Sequence, residues 1–175
     1  MRVFGKGSPN GVFRLDPNAM EWVQVPEAPE PLEPEERYAV IYFDNALCPV
    51  CRQYDGFWYP FLEMRARDLH SAGFGFYVVL CDWFLDRCSS VRAGMSFLHY
   101  DVKASPTTIL VANEGGGELY LERYEGLLTV GDLDRMSTGF PERAGRARRG
   151  ERVEKALTSD EAALSLLNSS IPTQS

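Results

Sequence analysis

Residues 38–51 read Tyr-Ala-Val-Ile-Tyr-Phe-Asp-Asn-Ala-Leu-Cys-Pro-Val-Cys. The run Tyr38 to Phe43 is rich in aromatic and β-branched residues and reads as a strand. Asp44-Asn45-Ala46-Leu47 ends it, and Cys48-Pro49-Val50-Cys51 opens a long segment of helical character that extends to about His70. Pro49 suits the first turn of that helix, because its ring presets φ and it needs no N–H partner there. Gly56 and Pro60 interrupt the segment, so a kink is expected near Pro60, and Gly73 is a suitable stop.

A pair of cysteines at this junction has a mechanical rationale. Unpaired N–H groups and the partial positive charge of a helix start stabilise a thiolate at Cys48. Cys51 lies nearly one turn on, close enough to attack a mixed disulfide on Cys48 and release the substrate. The rival readings are two small buried hydrophobes or half of a zinc site.

Outward from this core, Phe74 to Cys81 is almost continuously apolar, as in a strand covered on both faces. Residues from about 84 to 98 then cross back as a helix. The order βαβα favours an α/β sheet with right-handed crossovers. Thr107 to Ala112 and Glu118 to Tyr124 flank Asn113-Glu114-Gly115-Gly116-Gly117, a hairpin signal, and residues 129–138 read as a closing helix. Upstream, Val12 to Leu15 and Glu21 to Val25 form a second hairpin around Asp16-Pro17-Asn18. Residues 26–36 carry four prolines and five glutamates, a composition that favours extended, solvated backbone. Domain organisation is therefore expected as 1–36, an N-terminal hairpin extension with a Pro/Glu-rich linker; 37–140, the main domain; and 141–175, a tail with a helix over about 151–167.

Composition narrows the function classes. At 175 residues, 45% hydrophobic and 25% charged, the chain can bury one sizeable core. Its formal net charge of -7 gives no broad field for phosphates, which excludes general nucleic-acid and anionic-membrane binding. No stretch approaches the ~20 apolar residues of a spanning helix, and the first residues lack an apolar leader core, so the expected location is cytoplasmic.

The whole pattern resembles thioredoxin: YAVIYFDNALCPVC, an interrupted helix, a strand, a helix, then HYDVKASPTTILV and a glycine-rich hairpin. The resemblance covers roughly residues 38–138 and implies an α/β thioredoxin-like fold, a central mixed β-sheet flanked by helices. It also implies thiol–disulfide exchange with protein substrates and an unidentified electron donor or acceptor, without cofactor or metal. Ser105-Pro106 matches the family's cis-proline facing the cysteine pair, with the backbone of Ser105 contacting an extended substrate chain. Two departures matter. The tryptophan and glycine usual around the cysteines are missing, and Tyr42 stands where thioredoxin has a buried aspartate that assists proton transfer to the resolving cysteine. Strand alternation puts Tyr38, Val40, Tyr42 and Asp44 on one face, so Asp44 is the candidate substitute acid/base, against the plainer reading of a solvated turn aspartate.

Three readings stand for Cys81 and Cys88: a structural disulfide, reduced buried thiols, or a second redox pair. All four cysteines together would make a zinc site of unusually wide second spacing. Two rival functions also stand: a thioredoxin-fold binding module, and peroxide reduction by a peroxiredoxin-like use of Cys48.

Overall fold

The computed structural model describes residues 1–170; the remainder of the expected tail, 171–175, lies outside the described residues. Six strands form one mixed sheet. In chain order the elements are β1 (Gly11–Asp16), β2 (Glu21–Gln24), β3 (Tyr38–Asn45), α1 (Pro49–Ser71), β4 (Phe74–Cys81), α2 (Val91–His99), β5 (Thr107–Glu114), β6 (Gly117–Glu125), α3 (Val130–Arg148) and α4 (Ser159–Ser169). The spatial order is β2-β1-β4-β3-β5-β6. β3 and β4 run parallel, Tyr38 opposite Phe74 through Asn45 opposite Cys81, and the remaining pairings are antiparallel. Every residue of β3 and β4 is buried, as their unbroken apolar runs require of strands covered on both faces.

The two faces of the sheet hold separate cores. On one, Val40, Tyr42, Val78, Leu80 and Leu110 meet Trp58, Phe61 and Leu62 of α1 and Leu133, Met136 and Phe140 of α3. On the other, Ile41, Phe43, Val79, Cys81 and Ile109 meet Ala93 and Phe97 of α2. Cys48 and Cys51 belong to the first core and Cys81 to the second, so the sheet separates the two cysteine pairs.

The N-terminal hairpin is part of this sheet. β1 pairs antiparallel with β4 from Gly11 opposite Leu80 to Arg14 opposite Tyr77, and Phe4 ahead of it is buried against Phe13, with ring centroids 4.4 Å apart. The Pro/Glu segment after it is not wholly solvated. Leu32 is buried, its amide bonds to Ser96 Oγ, and Glu36 pairs with Arg14 and accepts from Tyr77.

Several boundaries differ from the sequence expectation. β3 continues two residues past Phe43, because both Asp44 and Asn45 have partners on β4. α1 runs unbroken through Pro60. The helix expected from 84 starts only at Val91, where Ser90 accepts from the Ala93 amide as its cap; residues 82–90 form a loop closed by the Cys81–Cys88 disulfide. The closing helix passes Pro141 and ends at Arg148, pinned by a buried pair in which Arg143 donates twice to Glu122 of β6. Residues 151–158 are not helical. They strap across β6, with the Ala156 amide on Tyr124 Oη and Ser159 on Asp132, before α4 begins at the Thr158 cap. At the β5–β6 turn Gly115 and Gly116 take φ of 61° and 85°, a conformation that side chains resist.

Candidate active site

The site lies at the end of β3, where the strand hands over to α1. Cys48 is the N-cap of α1, in extended conformation, and its Sγ accepts from the Cys51 amide at 3.1 Å. That bond satisfies one of the amides a helix start leaves unpaired, and it aims a backbone dipole at the sulfur. Pro49 follows at the first helical position. Across the site the Ser105–Pro106 bond is cis, and the Ser105 carbonyl stands 3.7 Å from Cys48 Sγ. Both thiols are buried, Cys48 at 4% exposure and Cys51 at 0%. Burial, and then the hydrogen bond with Cys48, push the Cys51 thiol well above its usual value.

Beneath Cys51 is a cluster of charge that the sequence reading caught only in part. Asp44 is fully buried on β3, which corrects the solvated-turn reading: a residue paired into the sheet between β4 and α1 has no access to water. Its Oδ1 accepts from Arg52 Nη2 at 2.5 Å, while its Oδ2 is buried without a partner. Asp55, one helical turn beyond Cys51, pairs with Arg52 Nε at 3.1 Å. The Tyr42 hydroxyl lies 3.1 Å from both Asp55 Oδ1 and the Cys51 carbonyl, to either of which its single proton can be donated. Burial pushes the Asp44 carboxyl up to about 6, against the pull of the Arg52 charge and its hydrogen bond. Burial and then the charge of Asp44 push Asp55 up to about 7. Burial works against the Arg52 cation, and the two carboxylates more than offset it. Asp55 and Arg52 went unread in the sequence. The signal was there in the spacing, since positions three and four apart on α1 share a face.

The N-terminal segment packs against this cluster. The Phe4 amide donates to Tyr59 Oη, and a Cβ on Gly5 would stand 2.9 Å from Arg52 Nη1, so a side chain there would push the guanidinium aside.

A helix-capping Cys-x-x-Cys at the end of a buried parallel strand, faced by a cis-proline at the start of the antiparallel β5, is now placed in a mixed sheet with helices on both faces. The fold is thioredoxin-like. Among solved structures the chain is similar to thioredoxin from Aeropyrum pernix, at 12% identity and a TM-score of 0.49, covering 77% of this chain and 97% of that one. It is similar to Trichomonas vaginalis thioredoxin at 16% identity and a TM-score of 0.41, covering 62% and 79%. StoA from Bacillus subtilis shares 16% identity at a TM-score of 0.39, with 72% and 96% covered. No protein-family model and no curated protein matches the chain.

Cys81 and Cys88 are joined as a disulfide, with Cα atoms 4.6 Å apart. The four cysteines are thus divided between two faces of the sheet, and no group of three or more histidine, cysteine or acidic side chains suited to a metal occurs among the described residues. Among those residues, too, no helix is long and apolar enough to cross a membrane.

Proposed function

We propose that the protein is a thiol–disulfide oxidoreductase that exchanges a Cys48–Cys51 dithiol or disulfide with protein substrates. The observation that carries this reading is the bond from the Cys51 amide to Cys48 Sγ at the start of α1, which makes Cys48 the sulfur poised for attack. Cys48 attacks a substrate disulfide, forming a mixed disulfide and releasing one substrate thiolate. Cys51 then attacks Cys48 Sγ, closing the Cys48–Cys51 bond and releasing the second. The substrate gains two electrons and the dithiol loses them; an electron donor restores it, and the reverse sequence oxidises a substrate dithiol. Asp44 receives the proton of Cys51, and the Ser105–Pro106 backbone offers the edge against which an extended substrate lies.

Reduction of insulin in the presence of dithiothreitol tests this reading. The wild-type protein accelerates it, Cys51→Ser accumulates mixed disulfides with substrate, and Cys48→Ser does neither. A protein that folds yet leaves the rate unchanged is the binding module. Consumption of hydrogen peroxide that survives Cys51→Ser supports the peroxide reductase.

One observation bears on the compartment. The Cys81–Cys88 bond is of a kind that persists in oxidising surroundings and is rare in the mesophile cytosol. Trapping the thiols by alkylation at lysis, then counting them, decides between a reducing and an oxidising location.

A further inference from the structure

The site holds one buried carboxylate, one largely buried carboxylate and one cation, and the proposed exchange uses only one of the carboxylates. The charge of Asp44 acts on the Cys51 thiol and its side chain has no exposed surface, whereas the Asp55 side chain retains 11% exposure and the Arg52 side chain 30%. Arg52 binds the two unequally, with a hydrogen bond to Asp44 Oδ1 and a longer ion pair to Asp55 Oδ2. Tyr42 reaches Asp55 from the β3 side. The other groups around them add no compensating charge. Tyr54 and Tyr59 of α1 are neutral hydroxyls engaged by Thr108 and the Phe4 amide. β5 contributes the uncharged Thr108, and the N-terminal segment lays Phe4 and Gly5 against the helix. Asp132 of α3 is occupied by Thr129, Arg135 and Ser159.

Resting on the exchange reaction above, we propose that Asp55 is a positioning residue that acts through Arg52 and Tyr42 to set the proton affinity of Asp44, so that Asp44 can take the proton of Cys51 during resolution. With one cation shared between two carboxylates, only one negative charge is compensated, and the pair holds its first proton more tightly than either member would alone. In the mixed disulfide the Cys51 proton passes to the Asp44 carboxylate. The Cys51 sulfur bonds to Cys48 Sγ, the bond from Cys48 to the substrate sulfur breaks, and that sulfur leaves with the electron pair. Above about pH 7, where Asp55 is itself ionised, its charge beside Arg52 favours neutral Asp44 as the product of this transfer. Without that neighbour Asp44 would have the whole of Arg52 and would be too weak a base for a thiol whose proton is held this tightly.

Stopped-flow reaction of the reduced protein with an aromatic disulfide reports both steps, because one coloured thiolate is released at attack and another at resolution. In the wild type the second phase rises with pH through the titration of Asp44. Asp55→Asn is expected to lower the midpoint of that phase by about one to two pH units and its plateau several-fold, leaving the first phase unchanged; Asp55→Glu, which keeps the charge, restores much of both. A second phase whose midpoint does not move in Asp55→Asn overturns the role of Asp55 while leaving the exchange reaction standing. A wild-type protein without a second phase overturns the exchange reaction itself. The unmutated protein supplies an independent reading through carboxyl-carbon NMR. Asp44 and Asp55 are expected to titrate over a shared pH range, each with two inflections, and two independent single transitions would reject the coupling.

Discussion

Asp44→Asn is the perturbation that the buried cluster makes most quantitative. A carboxyl raised from 3.8 to about 6 by folding binds its proton more tightly in the folded chain than in the unfolded one. The folded state is therefore favoured at low pH, and its advantage is lost as pH rises from the unfolded value through the folded one. At about 1.4 kcal/mol for each pH unit, the loss totals about 3 kcal/mol, most of which develops between about pH 4 and about pH 7. Asparagine keeps the shape and removes the proton. Asp55, relieved of a like charge and given all of Arg52, shifts so as to enlarge the change. Urea unfolding of the two reduced proteins at matched pH values measures it. The stability of Asp44→Asn relative to wild type should climb across that interval, while insulin reduction by the variant falls. A difference that stays constant to within about 1 kcal/mol from one end to the other would refute the linkage and, with it, the claim that Asp44 carries an elevated proton affinity.

Four further outcomes follow from the geometry. Mildly acidic alkylation should modify Cys48 before Cys51, because Cys51 is fully buried and its thiol is pushed up by that burial; peptide mapping that finds Cys51 first would reverse the proposed roles. Replacing both Cys81 and Cys88 with alanine should cost about 2–3 kcal/mol of stability in denaturant, the closure entropy of so short a loop. Glu122→Ala leaves Arg143 without its buried partner and should destabilise the fold by about 3–5 kcal/mol, whereas the Arg148–Glu114 pair at the surface should contribute less than about 1 kcal/mol by double-mutant cycle. Gly5→Val should displace Arg52 and change the pH profile of exchange more than overall stability, as compared by assay and by thermal melt.

Much of this architecture is legible in the chain. Phe74 to Cys81 announces a doubly covered strand because eight successive residues avoid charge, and Cys48-Pro49-Val50-Cys51 announces a helix start because proline is best accommodated in a first turn. Asp44 was within reach through the period of two along β3. Asp55 and Arg52 were so only in part: their spacing marks one shared face of α1, but nothing local distinguishes an ion pair that closes beneath a strand from one that faces water. The same blindness to distance explains the N-terminal hairpin. Its strands read correctly, but their union with β4 depends on a partner far along the chain, and short-range patterns carry no record of such pairings. The late start of α2 has a local cause that spacing only hinted at: the disulfide and the Asn45 side chain, which accepts the Phe84 amide at 2.7 Å, hold residues 82–90 out of helical geometry.

The place of β1 in the sheet also orders the assembly of the protein. β1 can pair with β2 at once, but its other partner is β4, made later, so Gly11 waits for Leu80. The interval includes the synthesis of all of α1. A nascent chain thus exposes Cys48 and Cys51 while Phe4 and Gly5 are still undocked and the charges of Asp44, Arg52 and Asp55 are open to water. Domains whose contacts close over long separations assemble late and show their reactive surfaces in the meantime. For this chain, the dithiol is on display to the cell before the scaffold that controls its protons has been built.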